Sequence, residues 1–529
     1  MGNRFEITST EWRRVTVWSL TVLTLSCLPY LIAAAAAPPG WQFAGILPNP
    51  LDGHSYLAKM QQGAAGHWLF QLTYTPEPHE GAFIFTFYLL LGHLSNWLGL
   101  STVWVFHLAR LVAGLFLFLV TYRFVARITP HRAERYVAFA LVSAASGLGW
   151  LGLIFGAFPI DLWVPEAFGP YSIYTNPHFP LGLGLMLLIL GRVVWSHGPS
   201  SFSGAVSMIA VTAFLLAMVL PFALLTAWTV LGLFLIWQSL AGREGLPWRQ
   251  IWLTLTSVLA AGPVIAYQYW LSLTHPVLAG WAAQNITSAP PLSDVAWGYG
   301  LVGLLALAGI GWLLGPGRAE LSQGERLIIT WAVATLILLY IPFALQRRLL
   351  NGFYVPLGLL AAMGLWRWLN MFPLSPGYRR LAITGVTALG AVGTLFVWTL
   401  PVISAFQSPD ESPTAALLFI REGEATAFAW LRSNVEPDMV ILASPRIGMF
   451  LPGETGARSF YGHPFETIEA ENKQNQLRAF FAGDLAQTSP PSDLVFYGPS
   501  ERALGQPAVL ADLPVIYEAE GVTIYEFKK

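Results

Sequence analysis

The chain contains few cysteines and few charged residues, and both facts limit the class of protein it can be. It contains a single cysteine, Cys27, so a disulfide within the chain and a metal site built from cysteines are both excluded. Charged residues make up only 11% of the chain, whereas soluble domains carry about 25%. The formal net charge of -1 gives no reason to expect a nucleic-acid partner.

Most of the sequence consists of apolar residues instead. Hydrophobic residues are 55% of the 529 positions, and the mean hydropathy is +0.56. This composition predicts an α-helical polytopic membrane protein. A helix needs roughly 20 apolar residues to cross a bilayer core, and eleven segments approach that length. The predicted spans are residues 15–37, 102–122, 136–156, 179–195, 203–219, 222–240, 250–271, 296–314, 327–345, 352–369 and 381–403.

The first span has an alternative interpretation as a cleaved signal peptide, because residues 33–37 resemble a signal-peptidase site. Its apolar run exceeds the roughly 7–15 residues of a signal-peptide core. We therefore predict a retained membrane helix.

Basic residues predict the orientation of the spans. Fifteen arginines fall in segments on one side, against three basic residues on the other side before residue 404. Because cytoplasmic loops are enriched in Lys and Arg, the first side, with the N-terminus, is predicted to be cytoplasmic. The arginines on that side are Arg4, Arg13, Arg14, Arg123, Arg127, Arg132, Arg135, Arg192, Arg243, Arg249, Arg318, Arg326, Arg367, Arg379 and Arg380.

The outer side then carries three long connections, at residues 38–101, 157–178 and 272–295. Residues 83–98 are apolar, but counting them as a span would reverse the charge pattern that follows. Polar residues also interrupt them, so we predict a juxtamembrane helix at the outer surface, within a juxtamembrane region of about residues 53–98.

From about residue 408 the composition shifts towards acidic residues and short apolar runs. Residues 1–405 are predicted to form the transmembrane domain, and residues 408–529 a small extracytoplasmic α/β domain. In the tail, His463 and Glu466 could be ligands, or they could lie in a loop entering a helix. The predicted tail elements are helices at 424–435 and 465–485 and strands at 439–443, 493–497, 514–517 and 522–527.

Side chains that could do chemistry begin directly after the first span. Asp52 and His54 lie there, followed by a helical patch that includes Tyr56. Asp52 precedes a helix-like run, so a helix N-cap is the structural alternative for it. A catalytic carboxylate is favoured because a second acidic group shares its predicted face of the membrane.

That second group is Asp161 and Glu166, in the next outer connection. Trp163 and Phe168 lie beside them in the sequence. A carboxylate in a partly dry aromatic cleft has a raised pKa, which is typical of active sites.

Three arginines could bind phosphate. Arg110 lies within the second predicted span, where a charge costs roughly 2.5–3.5 kcal/mol; it either snorkels to the interface or faces a polar cleft. Arg347 and Arg348 lie at the outer end of the ninth span, against the positive-inside trend. A planar guanidinium donates two parallel hydrogen bonds to phosphate, on a substrate or on membrane lipids.

Histidines on the outer face could complete a metal site with the acids. His54 and His178 are favoured, because each lies beside an acidic segment. Asp52, Glu166 and His178 are the candidate metal ligands. Their spacing is not that of a known metal motif, so a divalent metal is left open as a cofactor and no other cofactor is predicted.

Together these residues resemble the GT-C superfamily of integral-membrane glycosyltransferases. The likeness is to the polyprenyl-phosphate-sugar-dependent branch, which includes protein O-mannosyltransferases and the lipid A aminoarabinose transferase. It covers approximately residues 10–405. An acid in the first outer loop, juxtamembrane helices and an Arg-containing second span correspond to Asp52, residues 54–98 and Arg110.

Two further elements extend the resemblance. Asp161 or Glu166 would be the second acid of the family, and Arg347 or Arg348 the late basic residue that contacts the carrier phosphate. The chain departs from several related branches at Gly53, where those carry a second acid adjacent to the first.

The resemblance implies an enzyme that moves a sugar from a polyprenyl-phosphate-linked donor to a hydroxyl of a lipid, glycan or protein acceptor at the outer face. Asp52 would be the general base, and Asp161 and Glu166 further catalytic acids. The alternatives are a membrane transporter or lipid scramblase, and a non-catalytic scaffold presenting the tail domain. Implied substrate-binding or phosphate-binding residues are Arg110, Arg347, Arg348, His54, His178 and Tyr56.

Overall fold

The chain forms two compact units in the computed structural model, which describes residues 5–196, 201–241, 245–316, 320–484 and 490–527. Arg4, Arg243, Arg318 and Leu485, which the sequence predictions used, lie outside the described residues. The helical unit comprises Met1–Leu28, Ala109–Ala266 and Thr287–Leu400. The α/β unit comprises Pro29–Leu108, Tyr267–Ile286 and Pro401–Lys529.

Helices dominate both units. In chain order they are α1 (Ser9–Ala35), α2 (Pro50–Ala64), α3 (Thr86–Leu98), α4 (Thr102–Ile128), α5 (Arg132–Ala144), α6 (Gly149–Gly152), α7 (Gly169–Tyr174), α8 (His178–Val194), α9 (Phe202–Val219), α10 (Pro221–Ala241), α11 (Trp248–Thr274), α12 (Leu278–Gln284), α13 (Leu292–Leu313), α14 (Gln323–Tyr340), α15 (Tyr354–Asn370), α16 (Pro376–Ala405), α17 (Pro413–Ala416), α18 (Glu422–Asn434), α19 (Pro445–Thr455), α20 (Ala470–Ala482) and α21 (Pro499–Arg502). Short 3-10 helices lie at Leu153–Phe155, Ile160–Leu162, Pro165–Ala167, Gln346–Leu350 and Ala508–Asp512.

The fold is that of a multi-pass membrane protein. Among the described residues, seven helices are long and apolar enough to cross a membrane: α1, α4, α9, α10, α11, α13 and α16. An eighth span results if α5 and the segment to Phe155, which are bent by 48°, count as one. The other predicted spans coincide with α8, an apolar helix of 17 residues, and with α14 and α15. The number of eleven spans stays a prediction.

Two predicted spans have different limits in the structure. The span predicted at 136–156 is not one straight helix, because the chain leaves α5 after Ala144 and resumes at Gly149. The span predicted to end at residue 345 ends at Tyr340. Ile341 precedes Pro342 and has extended dihedrals (φ -68, ψ 136), which a proline imposes on the residue before it.

The α/β unit contains a five-stranded mixed sheet in the order β4-β3-β5-β7-β6, with β3 parallel to β4 and β5 and with β7 antiparallel to β5 and β6. A separate antiparallel pair joins β1 and β2, so a strand of the first long connection pairs with a strand of the tail. The strands are β1 (Trp41–Phe43), β2 (Phe419–Arg421), β3 (Val440–Leu442), β4 (Arg458–Ser459), β5 (Leu494–Tyr497), β6 (Val515–Ala519) and β7 (Val522–Glu526).

Alternating side chains of this sheet enter two apolar cores. Ile441 and Phe496 pack with residues of α18 and α19, such as Phe450, on one face. Val495 packs with Phe481 of α20 on the other face. The period of two along each strand therefore gives a three-layer arrangement with helices on both faces of the sheet.

Most predicted tail elements are present. The helix predicted at 424–435 is α18, and the four predicted strands are β3, β5, β6 and β7. The helix predicted at 465–485 begins only at Ala470, so the placement of Glu466 in its first turn is wrong. Because the tail shares a compact unit with residues 29–108 and 267–286, the predicted boundary at 405–408 stays a prediction.

Helices α2 and α3 pack closely in the α/β unit. A Cβ added at Gly63 of α2 would lie 2.0 Å from the carbonyl oxygen of Leu89, so only glycine permits this approach. Helix α3 has 13 residues, fewer than the roughly 20 that cross a bilayer. It is the helix expected from residues 83–98; its position at the membrane surface stays a prediction.

Candidate active site

Asp52 lies in the first turn of α2. The residue at the N-cap position is Asn49, which has left-handed dihedrals (φ 47), and Pro50 begins the helix. Asp52 is thus the third helical residue, and the alternative that it is the N-cap is wrong. Its carboxylate is favourably placed near the positive end of the helix dipole. The Asn49 side-chain amide donates to Asp52 Oδ2, and the Asp52 side chain is 46% exposed.

The tail contributes a second group to this position. His463 lies in the turn before α20, and its Nε2 is 3.6 Å from Asp52 Oδ1. The His463 side chain is only 2% exposed. An accessible carboxylate therefore faces a buried imidazole that is remote from it in sequence.

A buried ion pair lies about two helical turns further along α2. Lys59 Nζ is 2.8 Å from Glu466 Oε1, and the Ser55 hydroxyl donates to the same oxygen at 2.5 Å. Burial raises the pKa of Glu466, but the positive charge of Lys59 and these two hydrogen bonds outweigh it, so the pKa lies below its ordinary value. Glu466 is therefore held as a carboxylate at neutral pH.

Aromatic rings surround the Lys59 ammonium. Its nitrogen lies 4.6 Å from the ring centre of Phe85 and 5.3 Å from those of Phe70 and Tyr56. Such cation–π contacts stabilise a desolvated ammonium. Tyr56 also stacks on Tyr88, with ring centres 4.3 Å apart. Tyr56 is half-buried, and its predicted substrate-binding role stays a prediction.

His54 has the surroundings of a core residue. It is 1% exposed, and its ring packs edge-on against Phe450 at 4.7 Å. Burial lowers the pKa of His54 to about 3, so the imidazole is neutral at physiological pH. Its predicted role in substrate binding stays a prediction.

Asp161, in the helical unit, has a very different environment from Asp52. It is 1% exposed, and its Oδ2 accepts hydrogen bonds from the backbone N–H of Gly147 and Gly149, each at 3.1 Å. These N–H groups lie at the break between α5 and α6, so the carboxylate satisfies donors that the broken helix leaves unpaired. Burial raises the pKa of Asp161 to about 7, although these hydrogen bonds lower it.

Glu166 and Arg347 belong to segments that pack together in the helical unit. The carbonyl oxygen of Glu166 accepts from the N–H of Gly352 at 3.2 Å. The Arg347 guanidinium lies 4.8 Å from the ring centre of Trp163, three residues before Glu166. The structure thus brings the acidic segment and the late arginine segment together, as the sequence predicted for residues on one face.

The other predicted residues of the helical unit vary in exposure. Arg348 is half-buried, with its guanidinium 6.0 Å from the ring centre of Phe222. His178 is the first residue of α8; it is 7% exposed, and its ring centre is 4.0 Å from that of Phe179. Their predicted binding roles stay predictions.

Arg110 is 1% exposed and therefore does not snorkel. Its guanidinium donates to the carbonyl oxygen of Ile173 at 2.8 Å and to the Ser26 hydroxyl at 3.2 Å, and it lies 3.6 Å from Cys27 Sγ. These partners tie α4 to α1 and α7. These contacts join helices within the fold. The predicted phosphate-binding role of Arg110 stays a prediction.

No group of three or more His, Cys, Asp or Glu side chains that could hold a metal ion occurs in the described part of the chain. The sequence missed Lys59, Ser55 and His463 as partners of the acids. The signal available for two of them was the spacing of Ser55 and Lys59, which places both on one face of a helix.

These features define a class: a multi-pass membrane protein with an accessible carboxylate at the start of the helix after the first span. No family model and no curated protein matches the chain. The fold assignment comes from solved structures, and it confirms the predicted resemblance at the level of the fold.

The solved structures that are similar to this chain include two proteins. The oligosaccharyltransferase of Archaeoglobus fulgidus in the apo form has a TM-score of 0.52 and 14% identity, over 92% of this chain and 71% of that one. ArnT from Cupriavidus metallidurans bound to undecaprenyl phosphate has a TM-score of 0.50 and 15% identity, over 96% of this chain and 98% of that one. At these identities the likeness shows the fold alone.

Proposed function

We propose that the protein is a membrane glycosyltransferase that moves a sugar from a polyprenyl-phosphate-linked donor to an acceptor hydroxyl at the outer face of the membrane. The N-terminus is cytoplasmic and the tail extracytoplasmic in this proposal. One observation carries it: on a GT-C fold, the carboxylate after the first span is 46% exposed and accepts a hydrogen bond from the Asn49 amide. The similarity to an ArnT bound to undecaprenyl phosphate supports the class of donor.

In the proposed reaction Asp52 is the general base. The acceptor oxygen bonds to the anomeric carbon of the sugar as the bond from that carbon to the phosphate oxygen breaks. Asp52 takes the proton of the acceptor hydroxyl, and the polyprenyl phosphate leaves with the electron pair. Positioned general-base catalysis contributes about 10²–10⁴-fold to the rate.

Arg347 and Arg348 bind the donor phosphate in this proposal. Charge grows on the phosphate as it leaves, and a preorganised guanidinium stabilises that charge. The ring of Trp163 lies under Arg347 and restricts its side chain, which lowers the entropic cost of binding. A planar fork also suits two phosphate oxygens at once.

A metal is not assigned a step. An Archaeoglobus fulgidus oligosaccharyltransferase in complex with Zn and sulfate is also similar to this chain, with a TM-score of 0.50 and 13% identity over 96% of this chain and 73% of that one. The predicted ligands Asp52, Glu166 and His178 do not fall in a metal-binding group among the residues described. The divalent metal stays a prediction.

The test is sugar transfer from radiolabelled polyprenyl-phosphate sugars in proteoliposomes that contain membrane extract as the source of acceptor. We expect Asp52→Asn to lower transfer by about 10²–10⁴-fold, because the amide cannot accept the proton. Glu471→Gln is the matched control, since Glu471 is an exposed acid in the first turn of α20, as Asp52 is in α2.

Full transfer by Asp52→Asn would remove the general-base assignment. Unchanged donor affinity after joint replacement of Arg347 and Arg348 by alanine would remove the phosphate role. Lipid movement across the vesicles without any sugar transfer would favour the scramblase alternative instead.

A further inference from the structure

The turn that follows β4 places one imidazole against the first turn of α2. His463 is 2% exposed, while the Asp52 side chain it faces is 46% exposed. Their closest atoms, His463 Nε2 and Asp52 Oδ1, are 3.6 Å apart. That separation is slightly beyond a hydrogen bond, and catalytic contacts that are long in a free enzyme tighten when substrate binds.

The contacts of Nδ1 determine which ring nitrogen of His463 carries the proton. Nδ1 lies 3.1 Å from the backbone nitrogen of Phe465 and 3.2 Å from that of Glu466. Both are N–H donors, so Nδ1 must accept. The neutral imidazole therefore carries its proton on Nε2, the nitrogen that faces Asp52.

The same turn is fastened to α2 by a second, charged contact. Glu466 binds Lys59 at 2.8 Å and Ser55 at 2.5 Å, and Ser55 is three residues after Asp52 on the same helix. Thus the turn carrying His463 and the helix carrying Asp52 are held together at two points, one of them a largely buried ion pair.

Helix α12 supports the turn from the other side. The Gln284 amide donates to the carbonyl oxygen of Thr467 at 2.7 Å, and the Asn285 amide donates to that of Phe465 at 2.7 Å. Because the backbone on both sides of Glu466 is bound in this way, the imidazole is fixed before any substrate arrives. Such preorganisation is what a group that orients a catalytic base requires.

We propose that His463 is a positioning residue for Asp52, and this rests on the proposed function. In the proposed substrate-bound state its Nε2–H closes the 3.6 Å separation and donates to Asp52 Oδ1, while the Asn49 amide already donates to Oδ2. Two donors on two different oxygens hold the carboxylate plane in one orientation.

Two substitutions separate positioning from support of the turn. His463→Asn retains an oxygen that accepts from the N–H groups of residues 465 and 466, as in an Asx turn, but has no donor that reaches Asp52. His463→Gln places an amide nitrogen near the position of Nε2. We expect His463→Asn to lower kcat for transfer by about 10- to 100-fold with the donor KM within about twofold, and His463→Gln to recover part of kcat.

Three outcomes would overturn the proposal. One is wild-type kcat in His463→Asn. Another is an equal loss of kcat in His463→Asn and His463→Gln, accompanied by a matching fall in Tm. That result would mean that His463 only stabilises the turn. The third is that His463→Asn lowers the residual rate of Asp52→Asn as much as it lowers the wild-type rate, because a residue that acts through Asp52 must lose its effect once Asp52 is changed.

The experiment also distinguishes the two levels of inference. Full activity in Asp52→Asn removes the proposed general base itself. An inactive Asp52→Asn together with a fully active His463→Asn removes only the role of His463.

Discussion

Two acids that the sequence treats alike have opposite environments. Asp52 is 46% exposed in the first turn of α2 in the α/β unit. Asp161 in the helical unit is 1% exposed and accepts two backbone hydrogen bonds where a helix is broken. The Asp52 carboxylate is thus accessible, while Asp161 Oδ2 binds backbone N–H groups of the fold. The predicted catalytic role of Asp161 stays a prediction. Accessibility rather than residue type separates the proposed base from the other acid.

The α/β unit and the helical unit also stabilise buried charge by different partners. The α/β unit buries Lys59 against Glu466, a full ion pair surrounded by aromatic rings. The helical unit buries Asp161 against backbone dipoles, with its Oδ1 making no hydrogen bond to the described residues. Paired charges are stable as ions, whereas the carboxyl of Asp161 is pushed towards its neutral form, with a pKa raised to about 7 by burial.

The largest expected loss of stability follows when the Lys59–Glu466 ion pair is broken. Lys59→Met leaves the Glu466 carboxylate without its main partner, and Glu466→Leu leaves a buried ammonium. Each should destabilise the α/β unit by about 3–5 kcal/mol, measured as a fall in Tm of the detergent-solubilised protein. The joint replacement restores much of the Tm, because two apolar side chains of similar size need no partner. Single variants as stable as the parent would show that the pair is not desolvated.

A second effect on stability is expected at the helix break. Asp161→Ala removes the acceptor of the Gly147 and Gly149 N–H groups, and each buried donor left unpaired costs about 1–3 kcal/mol. Asp161→Asn retains an acceptor oxygen and should keep Tm within a few degrees of the parent. Measured side by side, the two variants separate loss of the hydrogen bonds from loss of the charge. If the asparagine variant lost as much stability as the alanine variant, the charge and not the acceptor would matter.

A third effect is a pair of opposite pH dependences, which is small per pH unit. The pKa of Glu466 is lowered, so its stabilisation is present above about 4.5 and is lost as pH falls below that value. The pKa of Asp161 is raised from 3.8 to about 7, so stability is lost as pH rises between these values.

Thermal unfolding from pH 3 to pH 8 measures both dependences. Each contributes at most about 1.4 kcal/mol per pH unit. Glu466→Gln should flatten the acid side of the Tm profile, and Asp161→Asn the side approaching neutral pH. Identical profiles for both variants and the parent would contradict the contrast between the two acids.

The sequence predicted the features that depend on local pattern. Long apolar runs gave the positions of the helices, and alternation of apolar residues gave four strands of the sheet. The break after Ala144 was missed because apolar residues continue through it. Its local signal is the run Ser146-Gly147-Leu148-Gly149, since two glycines in three residues weaken a helix.

Contacts between remote segments could not be predicted in this way. Strands β1 and β2 have three residues each, too few for a period to show. Ser55 and Glu466 are 411 positions apart, and nothing in either segment specifies the other. The acid of the proposed site was therefore found from its place after the first span, while the partners that orient it were found only in three dimensions.

Pairing of β1 with β2 sets the order in which the protein can mature. A chain emerging from the ribosome presents Trp41 early, yet its cross-strand partner Arg421 is synthesised only after the membrane helices between them. Until then α2 lacks the turn that carries His463 and Glu466. The surroundings of Asp52 are thus completed last, and on the proposed function a nascent chain stays inactive until the segment with His463 and Glu466 has been synthesised and folded.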